Sequence, residues 1–188
     1  EQINRFKTES ERIIEALGYP VLRHILNSAG IERFPDAQFD MVRLGIGLYG
    51  ISAIDQNQLK NISTMKSTVT QVKRVKKGET IGYGRTGKAD TDLTIAIVPV
   101  GYADGLNRAL SNGVGRFWIN GYFVPIIGTI CMDMCMVDIT ECDINEGDEV
   151  MIFGEHIPVT EIAEKLGTIP YEVFTGVSSR VKRVYFQE

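Results

Sequence analysis

One short stretch of the sequence leaves little freedom of fold, the run Phe117–Val124 (FWINGYFV). Aromatic and β-branched residues flank the dipeptide Asn120–Gly121, and both residues of this dipeptide readily adopt the positive φ angles of a two-residue hairpin turn. A hairpin is stable in water only when further strands or a helix pack against it. We therefore expect an antiparallel β-sheet around this run.

Several further segments of the sequence have the pattern of β-strands. The stretch 63–76 alternates apolar and polar residues, as a strand with one solvated face does. Leu93–Val100 is almost continuously apolar, as a fully buried strand is. Further strands are predicted at Ile126–Ile130, Cys135–Ile139 and Glu149–Phe153. Together they predict an antiparallel barrel or sandwich.

Two helices are predicted, one near each end of the sequence. Apolar residues recur at helical spacing over 3–17, where Gly18 follows as a stop signal. The second helix is predicted at Glu161–Leu166, with Thr160 as its N-cap and Gly167 behind it.

After the first helix, two short strands are predicted, Val21–Leu26 and Met41–Leu44. The first is followed by Asn27–Ser28 and the second by Gly45–Ile46–Gly47. Helix, strand, polar loop, strand and glycine loop is the order found in the last part of an α/β unit. Two strands and one helix do not bury themselves, so this part of the chain needs further structure to cover it.

Composition and charge argue against several classes of protein. The net charge is −4 and the basic residues are scattered, so no basic stripe exists for nucleic acid. No apolar run approaches the roughly 20 residues of a membrane span. The three cysteines, Cys131, Cys135 and Cys142, lack the spacing of a zinc site. We expect reduced thiols, no metal and a cytoplasmic protein.

The two loops after the predicted strands 21–26 and 41–44 have residues that suit an anion. Glycine loops present backbone N–H groups, and Asn27 and Ser28 add short side-chain donors. In α/β barrels, the loops after the last strands commonly hold a phosphate. His24 and Arg43 come just before these loops. From spacing alone the alternative stays open that the glycines serve packing and that His24 is a core residue.

The run 77–85 (KGETIGYGR) places Tyr83 between two glycines and close to Arg85. Glycine flanks remove side-chain bulk and allow another chain or a ligand to approach closely. An edge-strand tyrosine with a solvated hydroxyl would have the same local sequence, so the residues alone leave both interpretations open.

Six motifs occur in a fixed order: HILNSA (24–29), MVRLGIGLYG (41–50), IGYG (81–84), PVGYADG (99–105), GTICMDM (128–134) and IPYEV (169–173). In this order and spacing they resemble the bacterial alanine racemase family over nearly the whole chain. The resemblance implies a mainly β fold. An antiparallel β-barrel or sandwich over 56–188 would follow a remnant of a TIM-type α/β barrel, its last helix and two strands, over 1–55.

The resemblance also implies a set of residues that bind the family's cofactor, pyridoxal 5′-phosphate (PLP). Arg43 resembles the arginine that hydrogen-bonds the pyridine nitrogen, and His24 would support it. The phosphate-binding set would comprise Asn27, Ser28, the backbone around Gly45 and Ile46, and the hydroxyl of Tyr171. A guanidinium does not give up its proton, so Arg43 would leave the cofactor a weaker electron sink and limit side reactions.

Three residues of the second half resemble the family's catalytic and substrate-binding residues. Tyr83 matches the tyrosine that removes or returns the α-proton on the L-alanine face. Tyr102 matches a second tyrosine at the mouth of the site, and Met132 matches the residue whose backbone N–H holds the substrate carboxylate. Racemisation needs two groups that flank one carbon. A phenol is protonated in neutral water, so a tyrosine base needs nearby cations.

The family's other base is the lysine that forms the Schiff base with PLP, near the start of the barrel. The nine lysines of this sequence lie in polar contexts, and none has the family's lysine motif. A complete barrel takes about 250 residues. We therefore expect the C-terminal part of a racemase that serves peptidoglycan synthesis, inactive by itself. The parent would be a homodimer in which one subunit lends Tyr83 to the other, and a fusion behind a Mur ligase is compatible with the sequence.

Two alternatives to an isomerase fragment stay open. One is a non-catalytic β-barrel module for interaction or dimerisation within a larger cell-wall enzyme. The other is a PLP-binding regulatory protein, against which the hairpin-rich second half argues. The sequence also departs from the resemblance at Thr129, where many family members have arginine. This leaves open whether alanine or serine is the preferred substrate.

Overall fold

The computed structural model describes residues 1–186. These residues form two compact units, the N-terminal unit Glu1–Ser63 and a second unit from Thr64 onward, which we call the β unit. Among the described residues, no helix is both long enough and apolar enough to span a membrane. The domain boundary predicted at residue 55 stays a prediction.

The N-terminal unit contains two helices, α1 (Gln2–Leu17) and α2 (Ser28–Arg33). Gly18 ends α1 with a φ of 71°, and its N–H bonds to the carbonyl of Ile14. This confirms the helix predicted over 3–17. Three short 3₁₀ turns follow α2, at Pro35–Ala37, Ile46–Tyr49 and Gln56–Gln58.

The two segments predicted as strands in this unit lie parallel but do not form a full ladder. One isolated bridge pairs Asn27 with Arg43, and the Arg43 N–H bonds to the carbonyl of Leu26 at 2.9 Å. Further back, the N–H of Arg23 is taken by a carboxylate oxygen of Asp40 at 2.9 Å. At this end the contact is irregular, because the Arg23 carbonyl accepts the N–H groups of both Asp40 and Met41, at 3.1 and 3.2 Å, while a side chain uses the Arg23 N–H.

The β unit contains nine strands and two helices within its described residues. The strands are β1 (Met65–Thr68), β2 (Gln71–Val75), β3 (Thr80–Ile81), β4 (Gly87–Lys88), β5 (Leu93–Val98), β6 (Arg116–Ile119), β7 (Tyr122–Ile127), β8 (Cys135–Asp138) and β9 (Glu149–Phe153). Seven form one antiparallel sheet in the order β1-β9-β6-β7-β8-β5-β2, and β3 pairs with β4. The helices are α3 (Val159–Leu166) and α4 (Pro170–Gly176). The prediction of a mainly β, antiparallel fold is confirmed.

The hairpin predicted at Asn120–Gly121 is confirmed as the connection between β6 and β7. Ile119 faces Tyr122 across the turn, and the two turn residues have φ angles of 48° and 93°. Both angles are positive, as the two-residue turn of a twisted hairpin requires.

Other predicted strand boundaries differ from the structure, because the neighbouring strand that accepts the hydrogen bonds changes along the chain. The stretch 63–76 forms two strands, since the N–H of Val69 bonds to Asp148 on one side and the N–H of Thr70 bonds to Ile97 on the other. The strand predicted at Ile126–Ile130 is wrong beyond Ile127, where β7 ends.

The helix predicted at Glu161–Leu166 begins two residues earlier, with Pro158 and not Thr160 as its N-cap. The carbonyl of Pro158 accepts the first bond of the helix, from the N–H of Glu161. Helix α4 was not predicted.

The core of the β unit lies between the curved sheet and α3. Fully buried side chains alternate along β6 and β7, where Phe117, Ile119, Val124 and Ile126 face the same interior. Helix α3 contributes Ile162 to this core. Tyr102 lies in the connection between β5 and β6, and Met132 lies in the connection between β7 and β8, so the sheet supports both loops.

Candidate active site

His24 and Arg43 are in direct contact in the N-terminal unit. The Arg43 Nη1 atom lies 3.0 Å from His24 Nδ1. A guanidinium carries only donors, so His24 accepts through Nδ1. The backbone bridge between Asn27 and Arg43 holds the two segments in this register. His24 thereby fixes the orientation of an otherwise exposed guanidinium, and the role in cofactor binding that the resemblance implies for this pair stays a prediction.

Ser28 organises the glycine loop that follows Arg43. Its buried Oγ atom accepts the N–H of Gly45 at 2.8 Å and the N–H of Gly47 at 3.2 Å. Asn27 caps α2 through its side-chain oxygen, which accepts the N–H of Gly30 at 3.0 Å. The predicted phosphate residues of this unit therefore lie together, and part of their bonding capacity serves the loop itself.

The remaining polar groups of this loop suit a phosphate. Within residues 1–186, the hydroxyl proton of Ser28, the side-chain amide of Asn27 and the backbone N–H of Ile46 donate to no protein acceptor. All three are donors, and no carboxylate belongs to the set. At Gly47, an added Cβ would lie 3.0 Å from Leu44 Cδ1 and would crowd the loop. The donor chemistry thus fits a phosphorylated cofactor such as PLP.

In the β unit, Tyr83 begins a 3₁₀ turn between β3 and β4, the Tyr83 turn (Tyr83–Arg85). Its side chain is 76% exposed. The flanking residues Gly82 and Gly84 have φ angles of 74° and 69°, a conformation that glycine adopts without strain. An added Cβ on Gly82 would also lie 3.1 Å from Met136. The two glycines therefore allow a sharp turn that presents the phenol to the outside.

The Tyr83 turn rests on the Met132 loop, residues 128–134. The Thr86 and Thr129 hydroxyls are 2.7 Å apart and share a hydrogen bond. An added Cβ on Gly87 would lie 2.9 Å from Gly128 Cα, which shows how closely the two backbones approach. Thr129 therefore tethers the candidate catalytic tyrosine to the loop that carries Met132.

Tyr102 and Met132 lie on two loops that are hydrogen-bonded to each other. Tyr102 begins a 3₁₀ turn, the Tyr102 turn (Tyr102–Asp104). Its N–H bonds to the carbonyl of Cys131, and the N–H of Ala103 bonds to the carbonyl of Met132, both at 3.0 Å. The N–H of Met132 itself donates to no protein acceptor among the described residues. It is thus available for the substrate role that the sequence predicted.

An arginine that was not predicted from the sequence joins these two loops. Arg180 donates from Nε to Asp104 Oδ1 and from Nη2 to Asp133 Oδ1, both at 2.7 Å. Burial by itself would raise the pKa of Asp104, but Arg180 and the Gly101 N–H outweigh it and hold that pKa below its usual range. No local pattern could identify this contact, because 76 residues separate Arg180 from Asp104.

Tyr171 lies in the first turn of α4, directly after Pro170. Its backbone carbonyl accepts the hydroxyl of Thr175 at 2.9 Å. The phosphate role assigned to its hydroxyl from the resemblance stays a prediction.

None of the nine lysines belongs to these loops, whereas Cys131 lies in the Met132 loop, where its thiol donates to the carbonyl of Thr129 at 3.6 Å. All nine lysines are exposed. The three cysteines are free thiols, and burial raises the pKa of the Cys135 thiol well above its usual range. Within residues 1–186, no group of three or more acidic, histidine or cysteine side chains is placed to hold a metal ion.

The β unit also contains a cavity of about 320 Å³ that borders Gly105, the residue after the Tyr102 turn. Its walls come from α3, α4 and the strand ends, including Phe153, Ile162 and Gly105. Neither Tyr83 nor Met132 lines it. The candidate site is therefore an open surface of loops and not this cavity.

Two family models match the sequence: "Alanine racemase, N-terminal domain" over residues 1–53 and "Alanine racemase, C-terminal domain" over residues 62–185. "Alanine racemase 1" of Clostridium acetobutylicum is 45% identical over 176 residues, which cover 88% of this chain and 45% of that relative. The chain spans about half the length of the curated relatives it matches.

Solved structures with the same fold carry similar names. An alanine racemase of Clostridium difficile 630 in complex with cycloserine matches with a TM-score of 0.88 at 38% identity, over 96% of this chain and 49% of that one. An alanine racemase from Bartonella henselae with covalently bound pyridoxal phosphate matches with a TM-score of 0.82 at 33% identity, over 96% of this chain and 52% of that one.

Proposed function

The chain belongs to the alanine racemase family, and on that premise we propose that it forms part of a PLP-dependent enzyme that interconverts L-alanine and D-alanine. The observation that carries this proposal is the Tyr83 turn. A phenol that is 76% exposed, held outward between two glycines at positive φ, is available to a reacting molecule and contributes nothing to the core. Its place in the turn follows the IGYG motif of the family.

The N-terminal unit supplies the cofactor contacts in this proposal. Arg43, oriented by His24, would bond the pyridine nitrogen, while Ser28, Asn27 and the Ile46 N–H would donate to the phosphate. When bound, PLP withdraws electrons from the α-carbon of an amino acid and makes its proton acidic. Arg43 keeps its own protons, so it restrains this withdrawal and disfavours side reactions. Tyr171 completes the phosphate set.

The β unit supplies the groups that act on the substrate. The Tyr83 phenolate oxygen would take the α-proton of L-alanine and become a phenol, which would return that proton in the reverse direction. The Met132 N–H binds the substrate carboxylate and fixes the face that Tyr83 meets. Tyr102 narrows the mouth of the site and favours small side chains.

The second base and the partner subunit complete the proposal. None of the nine lysines has the motif of the family's Schiff-base lysine, and three of them form surface ion pairs, with Glu149, Asp92 and Glu161. We therefore assign the opposite base, a lysine, to protein outside these 188 residues. In the complete homodimer Tyr83 would serve the PLP site of the partner, and the product D-alanine would serve peptidoglycan synthesis. A fusion to a Mur ligase stays a prediction.

The full-length protein that contains this chain tests the proposal. With PLP and either pure enantiomer of alanine, we expect loss of optical activity until both forms are equal. The isolated 188 residues should leave either enantiomer unchanged. A well-folded full-length protein that does not racemise alanine would contradict the proposal and favour a non-catalytic module. Serine is tested in parallel as a second substrate, because the sequence at Thr129 leaves open whether alanine or serine is preferred.

A further inference from the structure

We propose that Arg180 is a positioning residue for the racemase reaction: it joins the Tyr102 turn to the Met132 loop and so fixes the direction of the Met132 N–H. The inference rests on the proposed function. Arg180 lies in the segment after α4, far in sequence from both loops. Its guanidinium bonds to Asp104 and Asp133, and these bonds involve neither Tyr102 nor Met132.

One planar guanidinium serves two carboxylates here. Its Nε–H donates to Asp104 and its Nη2–H donates to Asp133, both at 2.7 Å. Asp104 is the last residue of the Tyr102 turn, and Asp133 directly follows Met132. The fixed fork of the guanidinium sets the distance between the two acids, which the single point charge of a lysine could not do.

The Asp104 carboxylate is largely buried, and both of its oxygens accept a hydrogen bond. The Asp104 side chain is only 13% exposed, and its second oxygen accepts the N–H of Gly101 at 2.8 Å. Ion pairs between exposed side chains add little to the free energy of unfolding, whereas a charge-assisted hydrogen bond to a largely buried carboxylate adds more. Asp104 therefore fixes the position of Arg180. Arg180 in turn holds Asp133, whose side chain is more exposed, at 57%.

The backbone around Arg180 is itself fixed against the Tyr102 turn. The N–H of Ser178 bonds to the carbonyl of Asp104 at 3.1 Å. An added Cβ on Gly105 would overlap the carbonyl of Gly176, so the two backbones pack closely. Because the chain before Arg180 is already ordered, holding its side chain costs little further conformational entropy.

These contacts together hold the Met132 loop from two sides. From one side, the backbone of the Tyr102 turn binds the carbonyls of Cys131 and Met132. From the other, Arg180 binds the side chain of Asp133. The Met132 N–H belongs to the peptide whose carbonyl, that of Cys131, accepts the Tyr102 N–H, and Asp133 follows directly after Met132. Without Arg180 the Asp133 side is released, and the N–H proposed to bind the substrate carboxylate is held from one side instead of two.

Steady-state kinetics of the full-length protein test this inference. Arg180→Met should raise KM for alanine by about tenfold or more, the loss expected for one charge-assisted bond, and should change kcat much less. Arg180→Lys should give an intermediate KM. The control is Arg183→Met, in the same segment, whose guanidinium bonds, among the described residues, to the carbonyl of Val177 alone; its KM should equal that of the wild type. Melting temperatures verify that each variant folds.

A double-mutant cycle separates positioning from general loss of structure. Asp133→Asn, an exposed change, should raise KM about threefold in the wild type and have no further effect in Arg180→Met. If Arg180→Met does not fold, Asp133→Asn decides: a higher KM at an unchanged melting temperature supports the inference, and an unchanged KM overturns it. A folded Arg180→Met with wild-type KM, or equal effects of Asp133→Asn in both backgrounds, also overturns it.

Hydrogen exchange distinguishes a failure of this inference from a failure of the proposed function. If the wild type does not racemise alanine, the proposed function is wrong, and the contact is then judged from the amides of residues 131–134. Faster exchange there in Arg180→Met than in Arg183→Met supports the positioning role. Equal exchange in the two variants contradicts it.

Discussion

At the scale of single residues, Gly101 shows how closely two site loops approach. Its backbone is extended, with a φ of −140°, so conformational freedom is not the reason for a glycine here. An added Cβ would overlap the carbonyl oxygens of Cys131 and Met132. These carbonyls accept the hydrogen bonds that join the Tyr102 turn to the Met132 loop. The absence of a side chain is what allows the two loops to pair.

We predict that Gly101→Ala destabilises the 188-residue chain by about 1–3 kcal/mol, because the new methyl group must push the Met132 loop away. Urea denaturation measures the change. The matched control is Gly176→Ala, where no atom lies within 4 Å of the added Cβ and φ is not positive. The control should be close to neutral. Equal stability of the two variants would contradict the close approach.

A second residue-scale prediction concerns the ion pair between β6 and α3. Arg116 donates two bonds to Glu161, both at 3.0 Å, and Lys165 adds a third contact at 3.1 Å. The bonds from Arg116, followed by those from Lys165, outweigh burial and lower the pKa of Glu161. Glu161→Gln should therefore cost about 1 kcal/mol of stability at pH 7. Glu164→Gln, an exposed change on the same helix, is the control.

The pH dependence of this pair has a definite sign. A carboxyl group whose pKa is lower in the folded state contributes stability above its unfolded pKa, near 4.3, and loses it as the pH falls. The difference in unfolding free energy between the wild type and Glu161→Gln should be full at pH 7 and should shrink below about pH 4. A difference that stays constant down to pH 3 would mean that the charge of Glu161 is not the cause.

At the scale of secondary-structure elements, local chemistry was predictable and non-local pairing was not. The hairpin at Asn120–Gly121 follows from two residues that tolerate positive φ, so its prediction needed no partner. The stretch 63–76 alternates without interruption, yet it breaks where its hydrogen bonds pass from one neighbour to another. Nothing in a local pattern records which strand lies alongside. Helix α4 is short and starts at Pro170, so its periodicity is too brief to recognise.

The residues of the candidate site likewise divide into those with a local sequence signal and those without one. The flanking glycines are local and made Tyr83 a candidate, but they left an edge-strand tyrosine open; the contact between His24 and Arg43 agrees with their motifs. Arg180 could not be selected, since its partners lie far away in the sequence. The order of six motifs supplied the assignments that spacing alone left open, and those assignments stay proposals for the individual residues.

The hairpin turn gives an element-scale prediction. Gly121 has a φ of 93° and open space around it, so Gly121→Ala is strained by its backbone alone and should cost about 1 kcal/mol. Asn120→Gly should change stability by much less, because glycine also adopts the φ of 48° found there. Chemical denaturation compares the two variants. Equal losses would argue against a turn with two positive φ angles.

At the scale of the whole molecule, the buried apolar residues are divided very unevenly between the N-terminal unit and the β unit. The N-terminal unit buries only Leu26, Ala37 and Ile51, and it exposes large side chains such as Leu22 and Phe34. The β unit contains a continuous core between its sheet and α3. Hydrophobic burial is the main favourable contribution to folding, so the two units differ in their capacity to fold alone.

We predict that residues 64–188 fold cooperatively when expressed alone, whereas residues 1–63 do not. Circular dichroism and urea titration of the two segments measure this. The first should show a single sigmoidal transition with β-sheet ellipticity, and the second should show a shallow, continuous loss of helical signal from α1. A cooperative transition in residues 1–63 would mean that burial in that unit is greater than the structure indicates.

The most direct test of the central claim, that Tyr83 moves the α-proton of L-alanine, is hydrogen exchange at Cα in the full-length protein with PLP. In deuterated water, Tyr83→Phe should lose exchange of the α-proton of L-alanine and retain exchange for D-alanine, since the opposite base is untouched. Tyr122→Phe, an exposed change on β7, should behave as the wild type. Unchanged racemisation by a folded Tyr83→Phe variant would contradict the claim.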